Sequence, residues 1–198
     1  MRYAKDHKAE TRARVVEAAA RALRRDGIDG TGVATLMGEA GLTKGGFYAH
    51  FASKDALVAE ALDIAARATA GTLRANIAGA GEEDRLALLV ERYLRPEHVD
   101  GREGGCTIGS LLADLTRGSE SVRNVALAGA EDLIALVETC LPSIAKAERR
   151  VRAQAIVGLL AGCLQLARLQ PDDAKRNETL SAGRRAALLL GGQAGPYD

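Results

Sequence analysis

The chain has 198 residues, of which 47% are hydrophobic and 27% charged, with four prolines, two phenylalanines and no tryptophan. That balance excludes wholesale disorder. The length allows one large domain or two small ones, long enough to bury a core that must be mostly aliphatic. The net charge of +1 hides an asymmetry: residues 1–54 carry ten Lys/Arg and six Asp/Glu (+4), and the remainder carries seventeen against twenty (−3). A basic end on a mildly acidic body suits a module that touches phosphate, although a charged helix is more often a solvated face.

No apolar run approaches the ~18 residues needed to span a bilayer, and Met1 to Lys5 is not followed by a signal-like apolar stretch. The expectation is a soluble, cytoplasmic protein. Cys106, Cys140 and Cys163 are an odd number without CxxC spacing, which argues for reduced thiols and against a disulfide framework or a zinc site.

Taken in chain order, the periodicity is helical throughout. Lys8 to Arg25 forms a first helix, with Val15, Ala19 and Leu23 every four residues, and Asp26-Gly27 stops it. Val33, Leu36, Met37 and Ala40 mark one face of a second helix. Gly41 then supplies a tight interhelical turn, Thr43 is placed to N-cap a short third helix over Lys44 to Phe51, and Ser53 to cap a fourth reaching Ala78. Leu57, Ala61, Ile64, Ala65 and Ala68 are the expected buried stripe of that fourth helix. Beyond a break at Gly79 to Gly81, the next stripes are Leu86 to Leu94, Ile108 to Leu115, and Val122 to Leu141. Helices over residues 147–169 and 173–191 complete the chain. No alternating strand pattern is present. The prediction is an all-α fold of about nine helices. It comprises an amino-terminal domain over residues 1–55, a long fourth helix over 53–78, and a larger helical body over 79–198.

Two short helices joined by a glycine-containing turn are the physical core of a helix-turn-helix. The second must be pinned to a core on one side and enter the major groove with the other. Phe47 and Phe51, four apart, can anchor the buried side, leaving Lys44, Gly45, Tyr48 and His50 to project elsewhere. Gly45 and Gly46 are poor helix formers whose benefit is close approach of backbone to DNA. Lys54 has a free ammonium near the expected phosphate path. The alternatives are plain: Tyr48 could cover the small domain's core, and His50 could be a satisfied structural histidine.

The stretch from Thr11 to Leu57, densest in AGLTKGGFYAHFASKDAL, resembles the TetR/AcrR family of transcriptional regulators. The resemblance covers about a quarter of the chain. It implies a repressor released from a palindromic double-stranded DNA operator by a small molecule. Thr43, Tyr48, His50 and Lys54 would contact phosphate, with Lys44, Gly45 and Gly46 nearest the base edges. It also implies a helix-turn-helix DNA-binding domain over residues 1–55, a lever helix over 53–78 and a ligand-binding and dimerisation domain over 79–198, with a homodimer in which the last two helices meet their copies. Ala155, Gly158, Ala161 and Gly162, with Ala167, would permit that close approach, the alternative being packing within the chain.

The effector expected is small and apolar or amphipathic, since Tyr93 and Tyr197 are the aromatic residues of the body. Arg102, Glu103, Asp114, Arg117 and Arg168 could add polar specificity, or be solvated charges. Cys106 follows Gly104-Gly105 at an expected helix start, where the dipole lowers a thiol pKa. Its surrounding segment resembles a TetR subgroup that includes electrophile sensors, so Cys106 is a redox or electrophile-sensing candidate, against a simple packing role. Cys140 and Cys163 sit in apolar stripes and are expected to be inert. No nucleophile elbow, phosphate-binding glycine motif or metal-ligand pair points to an enzyme, a cofactor or a metal. A helical enzyme or an interaction module without DNA binding would leave the basic first quarter unexplained.

Overall fold

The computed structural model describes residues 2–193, so Tyr197 lies outside the described residues. Among these residues the chain forms nine α-helices and no strand. They are α1 (Arg2–Asp26), α2 (Val33–Glu39), α3 (Lys54–Ile77), α4 (Arg85–Tyr93), α5 (Pro96–Asp100), α6 (Thr107–Arg117), α7 (Glu120–Glu138), α8 (Lys146–Leu169) and α9 (Asp173–Leu190). Two 3-10 segments, Lys44–Ala49 and Arg102–Gly104, complete the set. The count of nine agrees with the sequence reading, but its membership differs. The third helix is 3-10, and the break around Pro96 holds the extra one-turn α5. Proline serves there as a helix starter at N1, where its missing N–H costs nothing.

The helix ends follow local chemistry. Gly27, Gly41 and Gly192 take positive φ (84°, 73° and 79°) after α1, α2 and α9, the left-handed conformation that only glycine adopts cheaply. Ser53 Oγ accepts the Ala56 N–H at 3.1 Å. The Asp172 carboxylate accepts the Lys175 N–H at 2.9 Å at the start of α9.

The chain divides into two compact units, one of residues up to Arg67 with Arg102–Ala128, the other of Ala68–Gly101 with residues from Gly129 on. Two of the three divisions fall within α3 and α7, and the third lies between Gly101 and Arg102. In the first unit Val15, Val16, Ala19, Leu23, Leu36, Met37, Phe47, Leu57 and Val58 are fully buried. In the second, Leu86, Leu89, Leu94, Val137, Ile156, Leu160 and Leu164 are fully buried, and α8 packs along α9. Periodicity errs in two places. On α3, Ile64 is 39% exposed and Ala68 is exposed, while Val58 and Leu62 are buried. On α6, Leu112 is 51% exposed. In both cases the buried stripe is narrower than a single-face reading gives, or rotated by a residue.

Candidate nucleic-acid interface

The reading segment hangs on the end of α2. There the Leu42 N–H donates to the Met37 carbonyl and the Gly41 N–H to the Gly38 carbonyl, both at 2.9 Å. This pair of bonds with a left-handed glycine is a Schellman motif, and it turns the chain into extended Thr43 (φ −84°, ψ 152°). Thr43 occupies the N-cap position, but its hydroxyl makes no capping bond. Its carbonyl accepts instead, from the Gly46 N–H at 3.2 Å. That i+3 bond, repeated from the His50 N–H to the Phe47 carbonyl at 2.9 Å, makes Lys44–Ala49 a 3-10 segment. Two adjacent glycines, each about 1 kcal/mol worse than alanine in a helix, leave six residues unable to sustain regular α geometry.

The segment has two unlike sides. Phe47 is fully buried, Phe51 is 3% exposed, and their rings lie 5.6 Å apart. Fully burying such a side chain contributes roughly 1.5–3 kcal/mol, which anchors the segment. Tyr48 is 77% exposed, with Phe47 against its ring at 5.2 Å. It therefore does not cover the core. Lys44 and Gly45 are exposed and Gly46 half-buried. Neither glycine has positive φ. A Cβ on Gly45 would stand 4.0 Å from Thr43 Oγ1, and one on Gly46 3.8 Å from Met37 Cε. Neither backbone conformation nor packing within the chain demands glycine at these positions.

His50 is half-buried, and its Nδ1 is shut from solvent with no hydrogen-bond partner among the described residues. It is thus not a satisfied structural histidine. Lys54, the first residue of α3, does not carry a free ammonium: its Nζ donates to the Ile28 carbonyl at 2.8 Å.

Three residues to which sequence patterning gives no part in DNA reading hold this platform together. Arg12 on α1 reaches the His50 carbonyl at 3.4 Å, stacks over Phe51 at 4.7 Å and pairs with Glu60. Arg25 at the end of α1 binds Asp26 and Glu39 at 2.7 Å and Glu103 at 2.8 Å. Its hydrogen bonds to Asp26, then Glu103 and Glu39, hold the guanidinium pKa well above its usual value, and the bond to Arg25 holds Asp26 below the usual carboxylate range. Asp114 on α6 accepts the Ile28 N–H at 2.9 Å and pairs with Arg117 at 3.0 Å. Glu103, Asp114 and Arg117 are therefore engaged within the first unit. In the second unit Arg168 donates to the carbonyls of His98 (3.1 Å) and Val99 (3.2 Å). Asp114 and Arg168 thus tie down backbone groups that helix ends leave unpaired, while Glu103 and Arg117 pair with charged side chains of their own unit.

Cys106 is the N-cap residue of α6 and is 3% exposed. Its nearby cation is Arg24, whose pKa burial lowers and Cys106 raises. Burial raises the thiol pKa of Cys140 and of Cys163, which disfavours the thiolate of each. No cluster of three or more possible metal ligands occurs among the described residues, and no described helix is long and apolar enough to cross a membrane.

On α8, Ala155, Gly158 and Gly162 are exposed, together with Val151 (65%), Leu166 (54%) and Leu169 (79%). Ala161 and Ala167 point the other way, 4% and 0% exposed, into the core of their own unit beside Val157 and Leu164. The same unit contains a groove of about 540 Å³ whose lining includes Glu82, Arg85, Glu138, Cys140 and Arg149, more charged than the aliphatic lining expected for an effector site.

Residues 15–61 match the family model described as bacterial regulatory proteins, tetR family. No curated protein sequence matches the chain. Solved structures do. A TetR-family transcriptional regulator from Cytophaga hutchinsonii superposes with a TM-score of 0.78 at 18% identity, over 95% of this chain and 96% of that one. The reduced form of E. coli NemR gives 0.74 at 23% identity, over 88% and 95%. A TetR transcriptional regulator from Chloroflexus aurantiacus gives 0.70 at 23%, over 94% and 95%. The amino-terminal domain thus matches the tetR family of bacterial regulatory proteins over residues 15–61, and the chain as a whole shares the fold of solved TetR-family regulators.

Proposed function

We propose that the chain is a ligand-responsive repressor that binds a palindromic operator as a homodimer and leaves it when a small apolar or amphipathic molecule binds. The observation that carries DNA reading is the two-sided segment Lys44–Ala49, with Phe47 fully buried and Tyr48 77% exposed. Lys44, Gly45 and Gly46 are the base-edge side, and Thr43, Tyr48, His50 and Lys54 the phosphate contacts. Residues 1–55 form the reader, the helix over 53–78 the lever, and residues 79–198 the effector and dimer domain. The exposed stripe of Ala155, Gly158 and Gly162 on α8 is the dimer surface, since small residues let two helices approach closely and operator symmetry mirrors protein symmetry. The test is binding of purified protein to duplexes selected from genomic DNA, read by fluorescence anisotropy against salt. A dimer whose affinity falls linearly on log–log axes, with a slope of about −0.9 per neutralised phosphate, is expected. A monomer with a flat salt response overturns the reading.

A second reading makes Cys106 the trigger. Its support is the N-cap position on α6, the neighbouring Arg24, and the likeness in fold to a regulator whose reduced form was crystallised. Under it, alkylating Cys106 abolishes operator binding and Cys106→Ser resists the reagent. If the thiol, 3% exposed, stays unmodified until the protein unfolds, Cys106 is a packing residue.

A further inference from the structure

The two backbone polar groups of Ile28 are both taken by side chains from other helices. The N–H donates to Asp114 Oδ2 at 2.9 Å, across 86 positions of sequence, and the carbonyl accepts from Lys54 Nζ at 2.8 Å. Ile28 is thus a one-residue bridge between α6 and the first residue of α3, all within the first unit. The turn around it is fitted to this arrangement. Gly27 has φ +84°, and a Cβ there would stand 2.9 Å from Asp114 Oδ2. Thr31, fully buried, donates its hydroxyl to the Gly27 carbonyl at 2.6 Å and closes the same turn.

We propose that Asp114 is a positioning residue for DNA binding: its carboxylate fixes the Ile28 backbone, and Ile28 in turn holds the Lys54 ammonium for a phosphate. The inference rests on the DNA-reading function proposed above. A lysine carries a flexible four-carbon stem and three N–H donors. One donor on the Ile28 carbonyl removes much of the stem's freedom before DNA arrives, and two remain for phosphate oxygens. Without the carboxylate, the Ile28 N–H loses its acceptor, the turn relaxes, and the carbonyl no longer presents a fixed acceptor to Lys54. Arg117, paired with the other carboxylate oxygen at 3.0 Å, is the charged side chain that shares Asp114.

A merely structural Asp114 would change stability without changing how many phosphates are neutralised. The experiment therefore reads the salt dependence of binding to a random-sequence duplex, for full-length wild type, Lys54→Ala, Asp114→Ala, Asp114→Asn and the Lys54→Ala/Asp114→Ala double variant. Each is measured at a temperature where its melting curve shows it folded. Lys54→Ala should flatten the log–log slope by about 0.9 per reading domain. Asp114→Ala should flatten it by the same amount, and the double variant by no more than either alone. Asp114→Asn, whose amide oxygen can still accept the Ile28 N–H, should restore the wild-type slope. A folded Asp114→Ala protein with the wild-type slope overturns the proposal and leaves the DNA-reading function standing. Wild type that binds no duplex overturns both. Should Asp114→Ala prove too unstable to measure, Asp114→Asn and Asp114→Glu decide: the proposal needs Asn to keep the slope and the longer Glu, which displaces the acceptor, to flatten it.

Discussion

At Gly45 the case for close contact with DNA rests on what the fold does not require. The position lacks positive φ, and an added Cβ would meet only Thr43 Oγ1 at 4.0 Å, an ordinary contact, so alanine fits. Gly45→Ala should leave the melting temperature unchanged or raise it, by up to about 1 kcal/mol of stability from the better helix former. It should nonetheless weaken DNA binding, because the added methyl stands between backbone and groove. Melting curves and anisotropy on one preparation check both halves; unchanged affinity would mean the backbone does not approach DNA there. Lys44, exposed on the same side, should discriminate bases. Lys44→Ala is expected to cost roughly 1–3 kcal/mol more on the operator than on random duplex if it pairs with guanine, and equal losses would reassign it to phosphate.

Among the elements, α5 is the one least able to stand alone. A single turn of helix does not offset its nucleation cost. Side chains from α8 and α9 hold it: Arg168 on the His98 and Val99 carbonyls, and Arg176 on Asp100 at 3.1 Å, while Arg184 caps the Leu94 carbonyl at 3.0 Å. Within it, His98 Nδ1 lies 2.6 Å from the Tyr93 carbonyl. A carbonyl only accepts, so that nitrogen carries a proton and a neutral ring has Nε2 bare. Burial, opposed by this bond and reinforced by Arg168 and Arg95, lowers the His98 pKa. The unfolded chain therefore binds the proton more readily than the native one. His98's contribution is complete above the ordinary imidazole value of about 6.5 and is lost as pH falls through that value and on through the lowered native one. Melting temperature should decline between neutral and mildly acidic pH, and His98→Gln should flatten that decline. An equal decline in the variant would place the titration elsewhere. Helix α8 makes a different prediction. Leu166 and Leu169, 54% and 79% exposed on the face of Gly158 and Gly162, become buried in the proposed dimer. Leu166→Glu/Leu169→Glu should shift sedimentation from dimer to monomer while helical circular dichroism persists.

For the molecule as a whole, the proposed repression and release are one equilibrium. An effector releases DNA only if it prefers a dimer geometry that the operator does not. Reading segments bound to half-sites one turn apart should sit roughly 34–36 Å from each other. Double electron–electron resonance between spin labels placed near Lys44 of each protomer should show that separation with operator and a different one with effector. One unchanged distance in both states would sink the allosteric scheme.

Helical class, the stop at Asp26-Gly27, the turn at Gly41 and the anchoring of Phe47 and Phe51 were all determined by the sequence alone. Each depends on neighbours within one or two turns: periodicity, a glycine that tolerates positive φ, a pair of aromatics four apart. The Ser53 cap belongs with them. Tertiary structure decided the rest, because the deciding partner is far along the chain. Ile64 and Leu112 look as apolar as their neighbours, and only the folded chain shows them exposed. Ala161 and Gly162 are adjacent small residues on one helix, yet one closes the core and the other lies open. Lys54 reads as a free cation until the Ile28 carbonyl meets it. Asp114, 86 residues from Ile28, reads as a solvated charge until α6 is brought to the turn after α1. Local conformational energy is written in short words along the chain, whereas the satisfaction of a buried backbone group is settled by whichever side chain the fold carries to it.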